Sequence, residues 1–79
     1  MDIKRVLDQS SHTIEELIQC FEIVKENGNV AVIKFDGERI SNQYTVFISF
    51  PSEDRQIIRS DKKTLKEALE NVLRAYIKD

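Results

Sequence analysis

In Tyr44-Thr45-Val46-Phe47-Ile48-Ser49-Phe50-Pro51 the large apolar residues Tyr44, Val46, Ile48 and Phe50 alternate with Thr45, Phe47 and Ser49 before the run stops at a proline. Successive side chains of a strand point to opposite faces, so Tyr44, Val46, Ile48 and Phe50 share one apolar face. Pro51 lacks the amide hydrogen that a further ladder bond would need. Phe47 falls on the other face, where it marks either a covered position or a contact surface. This strand predicts a sheet with one face buried.

Two neighbours extend the sheet. Upstream, Val30–Phe35 is β-branched or apolar almost throughout, and Asp36-Gly37 supplies the turn that ends it. Downstream, the polar turn Pro51-Ser52-Glu53-Asp54 leads into Gln56-Ile57-Ile58-Arg59, read as a third strand. Outside the strands the apolar period changes to that of a helix. Thr13 is placed to cap a helix and Glu16 to complete a capping box, after which Ile14, Leu17, Ile18, Phe21 and Val24 share a face. Ile23 lands opposite that arc. Asn27-Gly28 is both a helix C-terminal signal and a hairpin signal, so the reading is a helix from Thr13 through about Glu26, with a Phe21–Glu26 strand as the alternative. The last element starts at Asp61 or Thr64. Leu65, Ala68, Leu69, Val72, Leu73 and Tyr76 form its apolar stripe, Thr64 with Glu67 offers a second capping box, and Glu70 with Arg74 an exposed pair. Residues 1–9 hold Ile3, Val6 and Leu7 at helical spacing, enough for a short turn of helix that cannot stand alone.

The expected fold is α+β: one small domain over residues 1–79, ordered helix-strand-strand-strand-helix. A three-stranded antiparallel sheet carries both main helices on one face. A chain of 79 residues has room for one core and buries only about 60% of the surface its unfolded form exposes. With 41% hydrophobic and 33% charged residues it falls in the globular range. No apolar run reaches the roughly 18 residues of a membrane span, and Met1–Arg5 is not followed by the apolar stretch of a secretory signal, so no membrane partner and a cytoplasmic location are expected. Cys20 is the only cysteine, which excludes an intramolecular disulfide and fits a reducing compartment.

The residues that could carry chemistry are sparse. His12 and Cys20 are each the only one of their kind, and a nucleophile and base would need a third orienting group in a cleft. His12 is expected to be exposed at the helix flank and Cys20 to be a partly buried small hydrophobe. One histidine and one cysteine do not make a structural zinc site, and Asp36-Gly37-Glu38 and Glu53-Asp54 are turn chemistry rather than a calcium loop. No glycine-rich phosphate loop exists. No catalytic residue, no metal and no cofactor are expected, and the chain reads as a non-enzyme that binds another macromolecule.

Charge says where. The net charge is −2, but its distribution is uneven. Residues 1–29 set three cations against six acids, residues 30–60 four against four, and residues 61–79 five against four. Glu15, Glu22 and Glu26 form a stripe on the first main helix with Gln19 beside it. That stripe is either a solvated face or an interface for a basic protein. Lys62, Lys63 and Lys66 gather at the start of the last helix, where the macrodipole attracts anions, which suggests a phosphate site. The reading is a small acidic protein-binding inhibitor of the immunity, antitoxin or phage anti-defence kind, acting by occlusion through Glu15, Gln19, Glu22 and Glu26. A homodimer through a sheet edge is a further option. The alternative is double-stranded RNA bound at the basic helix start.

Two families share parts of this pattern. In element order the chain resembles the double-stranded RNA-binding domain, and Ile14-Glu15-Glu16-Leu17-Ile18-Gln19 and Lys62-Lys63-Thr64-Leu65-Lys66 look like that family's first-helix pattern and lysine clamp. The resemblance implies that Glu16 and Gln19 read sugar hydroxyls while Lys62, Lys63 and Lys66 bind phosphate. In the second half, Tyr44–Phe50, Pro51 and Thr64–Asn71 are similar to HicB-type antitoxins. That likeness implies neutralisation of a small basic toxin.

Overall fold

The computed structural model describes residues 2–78. Its elements run α1 (Ile3–Leu7), α2 (Ile14–Glu26), β1 (Val30–Phe35), β2 (Tyr44–Ser49), β3 (Ile58–Lys62) and α3 (Leu65–Ile77). The strands form one antiparallel sheet in the order β1-β2-β3. The fold is therefore the expected α+β arrangement, with a short additional helix at the start.

The apolar face of β2 organises the core. Val46 and Ile48 are fully buried, Phe50 follows just past the strand, and Tyr44, Ala31 and Ile58 pack on the same side. Against them lie Leu17, Cys20 and Val24 of α2 and Ala68, Leu69, Val72 and Leu73 of α3. Each leucine, isoleucine or valine among them contributes about 1.5–3 kcal/mol on leaving water, the main force holding the layers together. Five residues are too few for a helix in isolation. Helix α1 survives because Ile3, Val6 and Leu7 are buried against α2 and α3, while Asp2 accepts from the Lys4 amide at 3.0 Å.

Caps and turns fix the element ends. The Thr13 hydroxyl accepts from Glu16 N–H and the Glu16 carboxylate accepts from Thr13 N–H, a complete capping box. The segment Phe21–Glu26 is helix, so the strand alternative is overturned. Asn27 ends the helix and Gly28 takes a positive φ of 83° that turns the chain into β1. Ile23, outside the predicted apolar arc, is partly buried because α1 brings a second apolar surface to that flank. At α3 only half of the predicted box forms. Thr64 caps Glu67 N–H, but the Glu67 carboxylate receives the Thr64 hydroxyl rather than its amide.

Two boundaries differ from the sequence reading. The third strand occupies Ile58–Lys62 instead of Gln56–Arg59, and α3 starts after Thr64, so Asp61 belongs to the sheet. The register pairs Ser60 with Val46 and Asp61 with Thr45. Apolar alternation cannot reveal an edge strand whose inward position is a serine.

The far loop is tied down by one cation. The Arg55 guanidinium lies 4.5 Å from the Phe50 ring centroid and 5.5 Å from that of Tyr76. It donates to the carbonyls of Ala75 and Tyr76 at 3.3 and 3.0 Å, where the C-terminal end of a helix favours positive charge.

Candidate interaction surface

Helix α2 presents its polar side to solvent. Steps of 100° per residue put Glu15, Gln19, Glu22 and Glu26 within an arc of about 60°, running roughly 16 Å along the helix. All four are exposed. Among the described residues Glu22 alone of the four is ion-paired, accepting from Lys25 Nζ at 2.6 Å, and this contact raises the Lys25 pKa. Glu16 stands apart. It is half-buried and held by the capping box, so the structure does not add it to the stripe.

The lysines divide between elements. Lys62 is the last residue of β3 and half-buried, Lys63 lies in the link, and Lys66 is in the first turn of α3. Because Tyr44 pairs with both Phe35 and Lys62, the lysines lie at the end of the sheet where β1 turns into β2. Among the described residues, the ion pairs involve His12, Lys4, Lys25, Lys34, Arg39, Arg59 and Arg74, and none involves Lys62, Lys63 or Lys66.

The loop at that end is pinned to the uncovered face of the sheet. Asp61 accepts from Arg39 Nη1 at 2.7 Å, from Arg59 Nε at 3.1 Å and from the Thr45 hydroxyl. Arg59, Thr45 and Arg39, in that order, hold the Asp61 carboxyl well below the ordinary carboxylate range. Beside this cluster the same face shows Val30, Val32 and half-buried Phe47. Phe47 is thus a partly open surface residue. Ile40 at the loop tip is fully exposed.

His12 is the main correction among the candidate residues. Instead of an exposed flank position it is buried, with Nε2 3.0 Å from a Glu70 carboxylate oxygen. Its Nδ1 has no hydrogen-bond partner among the described residues. The ring ties the α1–α2 link to α3, and Glu70 takes it at closer range than it takes Arg74, 3.8 Å away. Cys20 is fully rather than partly buried, and burial first, then Glu16 and Asp2, push its thiol pKa up. Histidine and cysteine are thus both built into the packing. Among the described residues, no three His, Cys, Asp or Glu side chains gather as a metal site. Nor is any helix long and apolar enough to cross a membrane.

One surface escaped the sequence reading. Ile14, Ile18, Ile33 and Phe35 are 43, 38, 39 and 69% exposed, and a depression between α2 and β1 is lined by Ile18, Phe21, Val30 and Ala31 together with the polar Glu22, Lys25 and Asn29. The signal was present in Val30–Phe35, which is apolar on both faces as a doubly covered strand would be. Only one of its faces meets a helix. The chain matches no family model, no curated protein and no solved structure with which it was compared.

Proposed function

We propose that this chain is a non-catalytic protein-binding module that blocks a basic partner by docking it on the outward face of α2. The observation that carries the reading is the exposed row of Glu15, Gln19, Glu22 and Glu26, in which, among the described residues, Glu22 alone forms an ion pair. Carboxylates so placed steer and orient a positively charged surface, and the rigid helix beneath them costs little ordering on binding. A toxin, nuclease or other nucleic-acid-binding protein fits this chemistry, which makes an immunity protein, an antitoxin or a phage anti-defence protein the kind of molecule proposed. Its action is occlusion, without turnover.

The test is affinity capture from host lysate over a salt series, comparing the wild-type chain with a triple variant carrying Glu15→Lys, Glu22→Lys and Glu26→Lys. A basic partner held by the wild type, released with rising salt and lost in the variant is the expected outcome. Equal retention by the variant overturns the reading.

A second reading rests on Lys62, Lys63 and Lys66, which sit at one end of the sheet without carboxylate partners among the described residues. There a double-stranded RNA backbone would be the ligand, in the manner of the RNA-binding domain that the element order resembles. Glu16, occupied in its cap, and Glu38 in the adjoining loop both count against this second reading. Loss of a duplex gel shift at 50 mM salt on replacing the three lysines by Ala is its expected signature. Absence of any shift in the wild type removes it.

A further inference from the structure

We infer that β1 is the self-association edge of this protein and that two copies join their sheets across it, antiparallel, on a two-fold axis at Ile33. The inference is independent of the basic-partner proposal.

The two free edges of the sheet differ. On β3 the outward positions are Arg59 and Asp61, followed by Lys62, and charges of this kind protect an edge against pairing. On β1, Val30–Phe35 is six residues long with Lys34 as its one charge. That single charge leaves a pairing open in which Lys34 meets an apolar residue and not a second cation.

The hydrogen-bond phase of β1 is fixed by its end. Asp36 N–H donates to Gln43 C=O at 2.8 Å, in the register that pairs Phe35 with Tyr44. Alternation then turns the backbone groups of Lys34, Val32 and Val30 toward β2. Those of Phe35, Ile33 and Ala31 point out from the edge.

A symmetric antiparallel partner must place residues of one face opposite each other, so the axis can pass only through a residue and not between two. Centred on Lys34, it would face two ammonium groups across the seam. Centred on Val32, it would set Phe35 against Asn29, whose N–H is already donated to Val24 C=O at 3.1 Å. Centred on Ile33, it joins Ile33 to its own copy and Ala31 to Phe35 on both sides. All three outward residues are then satisfied, with two bonds for each pair.

Side chains favour the same axis. Phe35 stands edge-on to Tyr44 with ring centroids 5.3 Å apart, so the exposed ring is already positioned. Across the seam it meets Ala31, which leaves it room, and Lys34 meets Val32 instead of its twin. Val32, Ile33 and Phe35 are 37, 39 and 69% exposed, so pairing along β1 covers apolar side chains on both faces of the edge. The area is small beside the roughly 800 Å² per partner of a standard interface, so the dimer is concentration-dependent.

Sedimentation of the full chain tests it. The expected result is a monomer at about 1 μM and a doubled mass by about 500 μM. Ile33→Pro removes an outward amide and spares the hydrogen bonds of the β1–β2 ladder, so this variant is expected to keep the wild-type circular dichroism spectrum and remain monomeric. Phe35→Lys, at a position already exposed, is the second variant and gives the same result. Register is read by oxidation. Ile33→Cys is expected to form a disulfide-linked dimer, since cross-strand Cα atoms of a hydrogen-bonded pair lie about 5.5 Å apart, whereas Val32→Cys does not. A wild-type chain still monomeric at about 500 μM overturns the inference and leaves the edge to a strand from another protein or to solvent. Folded Ile33→Pro that dimerises like wild type, or crosslinking of Val32→Cys in place of Ile33→Cys, overturns it equally.

Discussion

Tyr76→Phe removes one oxygen atom and nothing else, and the structure says what that atom holds. The Tyr76 hydroxyl accepts from Asn27 Nδ2 at 2.9 Å and from Asn29 Nδ2 at 2.8 Å. Asn29 is buried in the turn from α2 into β1, where its own N–H closes on Val24 C=O. One hydroxyl on α3 therefore secures the turn that sets α2 beside the sheet. In the variant the exposed Asn27 amide turns to water at a cost of about 0.5 kcal/mol, whereas the buried Asn29 amide loses a partner at a cost of about 1–2 kcal/mol. The ring keeps its stacking on Phe50, 6.0 Å between centroids, so no packing change is added. The expected loss is about 2 kcal/mol, or roughly 10 °C in melting temperature for a domain this small. Urea unfolding followed by circular dichroism measures it, and a double-mutant cycle with Asn29→Ala is expected to return a coupling of about 1 kcal/mol. A variant within about 0.3 kcal/mol of wild type, or a cycle that closes additively, would refute the reasoning.

Acid stability should depend on Asp61. Its folded pKa is depressed below the ordinary 3.8 by Arg59, Thr45 and Arg39. Its contribution is therefore complete above the unfolded value and lost as pH falls through the folded one. Urea midpoints of the wild type should drop as pH falls below about 4, and Asp61→Asn should flatten that fall. Gly28→Ala should cost about 1 kcal/mol through backbone strain alone, since φ is +83° and no atom lies within 4 Å of the added Cβ; equal urea midpoints would contradict this. Cys20, buried and with its thiol pKa raised, should react with an aromatic disulfide reagent only after unfolding. Rapid labelling of the native chain would show that α2 opens locally.

The amino-acid sequence by itself determined the helices, two of the three strands and the side of β2 that faces inward. These follow from local rules: alternation in Tyr44–Phe50, the Thr13 and Glu16 cap, the apolar stripe from Leu65 to Tyr76. The row of Glu15, Gln19, Glu22 and Glu26 was legible for the same reason, because helical periodicity alone places it. What lay beyond local rules was decided by contacts between residues far apart in the chain. The third strand was displaced because its inward Ser60 gives no apolar signal, and only pairing with Val46 assigns it. His12 is buried because Glu70 waits on another helix, and Ile23 is partly buried because Ile3 of α1 and the end of α3 come beside it. The free edge of β1 belongs to the same class. Whether an apolar strand is covered on both sides depends on how many helices and strands the whole chain supplies. This chain supplies too few to cover β1.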